Sequence, residues 1–189
     1  AWLNEKFSPC LEESQWEVIE CILEQLNLME ANIERAKRVN LAISIHKMEI
    51  ERIRFMITSY LRLRLRKVEK YAGHLLQQAE DNPENPRMTQ EEHTYAREYL
   101  ANTESHFQSL ALRHMPPNLQ TLNPEVVNDV PNLDSFVFLQ VKEDVEGVMV
   151  EDNTPDSREE VINLEKGDQH ITRYKPIAPL ITSNAVVLI

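Results

Sequence analysis

Apolar residues recur at three- and four-residue steps through the first part of the chain, then give way to short strand-like runs. Ile19, Ile22, Leu23, Leu26, Met29 and Ile33 mark one face of a helix. At its start, Ser14-Gln15-Trp16-Glu17 has capping-box spacing, so Ser14 can accept from the Glu17 amide while Glu17 reaches back. A second helix is predicted from about Asn40 to about Gln78. The prolines of Asp81–Pro86 (DNPENP) break it, since they lack the amide that a helix needs. Thr89-Gln90-Glu91-Glu92 is a second capping box. The helix it opens carries Tyr95, Tyr99, Leu100, Phe107, Leu110 and Leu112 and ends before Pro116-Pro117.

Beyond that point lies a proline- and asparagine-rich stretch without period, followed by β-rich runs at Ser135–Val141, Val148–Val150, Val161–Leu164, Gln169–Tyr174 and Ala185–Ile189. Asn153-Thr154-Pro155-Asp156 and Lys166-Gly167-Asp168 supply turn residues between them. Helices first and strands after imply an α+β chain, not an alternating parallel sheet. The expected division is a helical bundle over 1–115, a linker over 116–133 and a small β-rich module over 134–189. A module of about 55 residues is marginal as a lone core, so it is expected to lean on another surface. Its last residues, Ala185 to Ile189, are apolar to the end, where chain termini are ordinarily polar and frayed. They are expected to form a strand, with Val187, Leu188 and Ile189 as candidate interface residues.

The long second helix carries two apolar stripes. At about 100° per residue, Leu41, Ile45, Met48, Met56, Tyr60 and Leu63 share one sector, and Ile43, Ile50, Ile57, Leu61 and Val68 lie nearly opposite. A surface helix ordinarily needs one such stripe. Either the helix is the centre of its own bundle, or one stripe meets a second chain. Few other helices are available to cover both, which favours a partner at Ile43, Ile50, Ile57, Leu61 and Val68. The same helix holds Arg52, Arg54, Arg62, Arg64, Arg66, Lys67 and Lys70. Their scatter around the helix, with Glu49, Glu51 and Glu69 in reach, favours ion pairing and stem packing over a nucleic-acid stripe.

Charge supports that preference. Residues 1–115 carry 15 Lys and Arg against 18 Asp and Glu, and the remainder 5 against 13, within a total of −11. Such a surface repels a phosphate backbone. No apolar run approaches the roughly 18 residues of a membrane span. Two cysteines, Cys10 and Cys21, form no close pair and suit a reducing compartment.

Catalytic signatures are missing together. Three glycines, Gly73, Gly147 and Gly167, cannot build a glycine-rich phosphate loop, and no GxSxG or HExxH occurs. Cys10 and Cys21 lack zinc spacing, and no two histidines sit four apart. His46 is read as a surface or hydrogen-bonded helix histidine, and Glu17, Glu20 and Glu24 as a solvated face. No catalytic, cofactor or metal site is expected, and no small-molecule substrate.

Met48–Phe55 (MEIERIRF) and Tyr60–Lys70 (YLRLRLRKVEK) together resemble the long helix of the Sld-five family, subunits of the eukaryotic GINS complex. Ala101–Ser105, Met115–Gln120, Leu133–Leu139, Leu164–Gly167, His170, Arg173-Tyr174, Ile177–Leu180 and Leu188-Ile189 continue the likeness in order along nearly the whole chain. The resemblance implies a nuclear, non-catalytic subunit of a heterotetramer with three related Psf proteins. It further implies assembly with the MCM motor ring and the Cdc-forty-five protein into the replicative CMG helicase, with DNA contact at most indirect. The resemblance further implies a short acidic leader, usual in family chains, ahead of the region matching Ala1–Phe7. The alternative is a generic scaffold or adaptor whose acidic β module binds a basic partner.

Overall fold

A computed structural model describes residues 1–35, 41–83, 87–120, 129–150 and 160–189. Five helices come first: α1 (Trp2–Phe7), α2 (Trp16–Arg35), α3 (Leu41–Lys70), α4 (Ala72–Asp81) and α5 (Gln90–Leu110). Strands β1 (Phe136–Val141), β2 (Val145–Val150), β3 (Glu160–Leu164) and β4 (Gln169–Arg173) follow, then α6 (Tyr174–Thr182) and β5 (Val186–Leu188). The chain is therefore α+β, helical first and β-rich after. The expected break within 84–86, the turn at Asn153–Asp156, linker residues 121–128 and the helix start at Asn40 lie outside the described residues.

The Thr89 capping box forms as expected, with the Glu92 amide donating to Thr89 and the Glu92 carboxylate accepting from the Thr89 amide. At α2 the start falls one residue late. Gln15, not Ser14, precedes the first helical residue, and its carbonyl accepts from the Ile19 amide at 3.2 Å. The single helix expected over 40–78 is two. Tyr71 leaves helical dihedrals (φ −112°, ψ 23°) between α3 and α4, while the bonds Tyr71 N to Lys67 O and Leu75 N to Tyr71 O persist. Gly73, the least helix-favouring residue nearby, follows within the first turn of α4.

In the β module, β1 is central: β4 and β5 flank it, both antiparallel, with Phe138 opposite Ile171 and Leu139 opposite Leu188. β2 and β3 form a separate antiparallel pair. Strand β2 starts earlier than the apolar run suggests, because a bulge at Gly147 (φ +77°) carries the ladder back to Val145. Helix α6 was not expected at all. Pro176 sits in its first turn, where the amide is unused. The interior Pro179 is tolerated on a short helix that buries Tyr174, Ile177 and Ile181.

Two apolar cores result. One gathers Val137, Leu139, Val141, Val148, Leu164, Tyr174, Ile177, Ile181, Val186 and Leu188 of the β module with Cys10 from the N-terminal segment. The other gathers Val68, Leu75 and Ala96 of the helices with Tyr71, Met88 and Leu11 from the segments beside them. Neighbouring residues 10 and 11 thus enter different cores.

Candidate subunit interfaces and a buried ionic hub

The structure separates the candidate interface residues. On α3, Ile50 and Val68 are buried by the chain itself, Val68 within the helical core, while Ile43, Ile57 and Leu61 are partly buried. Leu188 is fully buried in the β core. Ile50, Val68 and Leu188 are committed to intramolecular packing, so a partner cannot reach them in this conformation. The most exposed apolar residues of α3 lie on the side of the opposite stripe: Leu41 is 77% exposed, Ile45 56% and Met48 73%, with Phe55 at 65% beside them. At 100° per residue these four fall within one 80° sector. Further along the same line α1 covers the helix, where the Trp2 indole donates to Ser59 Oγ at 3.1 Å. On α2, Leu23 and Leu28 are also exposed.

A second apolar surface lies on the outward face of the three-stranded sheet. Phe136, Phe138 and Ile171 are exposed there, with Val187 and Ile189 partly buried. The Arg173 guanidinium stands 5.7 Å from the centre of the Phe136 ring.

On α3, Arg52, Arg54, Arg64 and Lys67 are engaged in ion pairs. Arg52 binds Glu49 through both Nε and Nη2, and Arg54 pairs with Glu30 and Glu51. Arg64 and Lys67 turn inward instead, into a hub that the sequence reading did not place. Arg64 is 1% exposed and spends all five of its donors. Nε and Nη2 grip Glu92 at 2.7 and 2.8 Å, Nη1 reaches Glu5 at 3.2 Å and the Glu12 carbonyl at 2.8 Å, and Nη2 also reaches the Arg87 carbonyl at 2.9 Å. Lys67 Nζ donates to the Glu5 carboxylate at 2.8 Å and to the carbonyls of Glu5 and Cys10 at 2.5 and 2.7 Å. Burial opposes charge on Arg64, yet hydrogen bonding and attraction from Glu92, with Tyr60 and Glu5, hold its pKa above the ordinary value. Burial pushes the Glu5 carboxyl up, and Lys67 and Arg64 pull it only part of the way back.

Beside the hub, Cys10 Sγ donates to Tyr174 Oη at 3.1 Å, and Tyr174 Oη donates to Glu12 at 2.7 Å. Burial, with Cys10 and Glu12 beside it, raises the Tyr174 pKa and keeps the phenol protonated. This arrangement is suited to holding segments together. Among the described residues no helix is long and apolar enough to cross a membrane, and no group of three or more His, Cys, Asp or Glu could hold a metal ion.

Helical bundle, β module and uncovered apolar faces define the architecture of a protein–protein assembly component. Residues 22–111 match the family described as GINS complex protein helical bundle domain, and residues 131–189 that described as DNA replication complex GINS protein SLD5 C-terminus. The whole chain is 52% identical to the DNA replication complex GINS protein SLD5 of Homo sapiens and 53% identical to that of Xenopus laevis, covering 86% of each. Identity to the Arabidopsis thaliana protein of the same name is 30%, over 88% of its length. The chain belongs to the SLD5 family of GINS proteins of the DNA replication complex.

Proposed function

We propose that this chain is a non-catalytic structural subunit of a heterotetrameric GINS complex, joining three related Psf subunits in the nucleus. In this reading the division is a bundle over 1–115, a linker over 116–133 and a β module over 134–189. The assembled complex then supports the replicative helicase through the MCM motor ring and the Cdc-forty-five protein. DNA contact is at most indirect, in keeping with the ion pairs that engage Arg52 and Arg54 and the burial of Arg64.

The observation that carries the reading is the uncovered stripe Leu41, Ile45, Met48 and Phe55. It spans about 20 Å of helix at 1.5 Å per residue, on a helix whose other stripe already buries Ile50 and Val68. An apolar face of that kind on a folded domain marks a protein contact. Ile43, Ile57 and Leu61 remain candidate contacts at its margins, and Val187 and Ile189 on the outer sheet face.

The test is co-expression with candidate Psf subunits, followed by mass measurement of the intact particle. Met48→Asp should abolish the four-subunit mass while leaving the helical circular dichroism of the isolated chain unchanged. Ile50→Asp should unfold the bundle. Normal assembly of the Met48→Asp chain would refute the proposed face.

A further inference from the structure

The N-terminal segment belongs to neither module alone. Its bundle side is Glu5, held by Lys67 and Arg64, together with the carbonyls of Glu5, Cys10, Leu11 and Glu12, which accept from Lys67, Arg87 and Arg64. Its β side is Asn4, whose Oδ1 accepts from the Leu188 amide at 3.1 Å, and Cys10 and Glu12, which bind Tyr174. Cys10 lies in the β core and Leu11 in the helical core. Among the described residues, Asn4, Cys10 and Glu12 bond the N-terminal segment to the β module.

We propose that residues 2–12 form a clasp that fixes the β module on the helical bundle, and that opening this clasp is what frees the module to move as a unit. Each end of the clasp has a different chemistry. The bundle end is ionic and buried, so detaching it returns Glu5, Lys67 and part of Arg64 to water, where their charges are solvated. The β end is one strand-edge acceptor, one thiol and one carboxylate. Detaching it withdraws Cys10 from the module core and uncovers the outer edge of β5, leaving the Leu188 amide to seek another acceptor. Opening the clasp therefore changes both the position of the module and the strand edge it presents.

The test uses the full chain and reads the two modules separately by NMR. Lys67→Met keeps the stem of a residue that lies in α3, outside the β module, and removes three hydrogen bonds to the clasp. The clasp predicts that amide exchange at Leu188 rises about tenfold or more, while the Ala96 amide in α5 keeps its protection. In the double variant Lys67→Met/Glu12→Ala, relaxation should resolve two tumbling times where the parent shows one. Asn4→Ala guards against a bundle-folding defect, because Asn4 bonds to β5; it should loosen the module with the bundle spectrum unchanged. A Leu188 exchange rate within about twofold of the parent in Lys67→Met, or a single tumbling time in the double variant, would overturn the proposal. So would loss of protection at Ala96 and Leu188 together in Asn4→Ala, because the two modules would then be one cooperative unit with no separable clasp.

Discussion

Replacing Arg64 by methionine keeps an unbranched stem at a buried position of α3 but removes five donors at once. Glu5 keeps Lys67 as a partner, so its loss is softened. Glu92 loses both arms of its grip and, among the described residues, retains its cap to the Thr89 amide. The carbonyls of Glu12 and Arg87 lose the Arg64 donors, at about 1–3 kcal/mol each if water cannot reach them. Breaking a buried pair by removing one member typically costs about 3–5 kcal/mol. Glu92 is 13% exposed at its side chain, and partial hydration there keeps the total within that range instead of at the sum of the parts. For a chain of 189 residues, the loss corresponds to a melting temperature lower by roughly 6–20 °C. Urea unfolding followed by circular dichroism measures it directly. Adding Glu92→Gln to the Arg64→Met chain should recover part of the loss, since an unpaired amide in a half-dry site costs less than an unpaired carboxylate. A cost under about 1 kcal/mol for Arg64→Met, or strict additivity of the two changes, would show that the hub is not the coupled ionic cluster its geometry implies.

Glu5→Gln reports on acid stability. The folded-state pKa of Glu5 is raised, so its contribution is fully present below the unfolded value and is lost as pH rises through the folded value. Between those two values the parent should gain stability on acidification through this group, and Glu5→Gln should flatten that limb; an unchanged pH–stability curve would contradict the assignment. Tyr174→Phe removes the donor to Glu12 and the acceptor for Cys10 and should cost about 1–2 kcal/mol, seen as earlier unfolding in urea with helical content retained. Deleting Val186–Ile189 takes Val186 and Leu188, both fully buried, out of the β core; it should unfold that module and weaken assembly, and equal thermal stability would count against it.

What the sequence made legible was periodicity. The three- and four-step apolar pattern located α2, α3 and α5, although α5 stops at Leu110 and Leu112 falls in a separate 3-10 turn; the short apolar runs located the five described strands to within three residues, because burial of one face repeats at a fixed interval in each element. The Thr89 box was legible for the same reason, being a local spacing. Helix α6 gave no long periodic stretch to read: it has nine residues, two of them Pro176 and Pro179, and it forms because a first-turn proline costs little and Tyr174, Ile177 and Ile181 supply the burial. The two stripes of α3 were visible, but not which one the chain covers itself, since that depends on where α1 lands.

The hub resisted the reading for a different reason. Arg64 stands between Tyr60 and Val68 on the four-step line of buried positions, and a charged residue on a core line was the one signal available. It announced that a partner had to exist and gave no means of choosing it. The acceptors that satisfy Arg64 lie 59 and 28 residues away, at Glu5 and Glu92, and two more are backbone carbonyls that carry no sequence identity at all. Spacing rules describe contacts within one element, whereas a buried guanidinium is satisfied by whatever the tertiary fold brings to its plane. The same features that made the hub illegible make it selective. Five donors arriving from one side chain must meet acceptors from α1, the segment after it, the loop before α5 and α5 itself, and they can do so together only when the N-terminal segment is seated against the bundle.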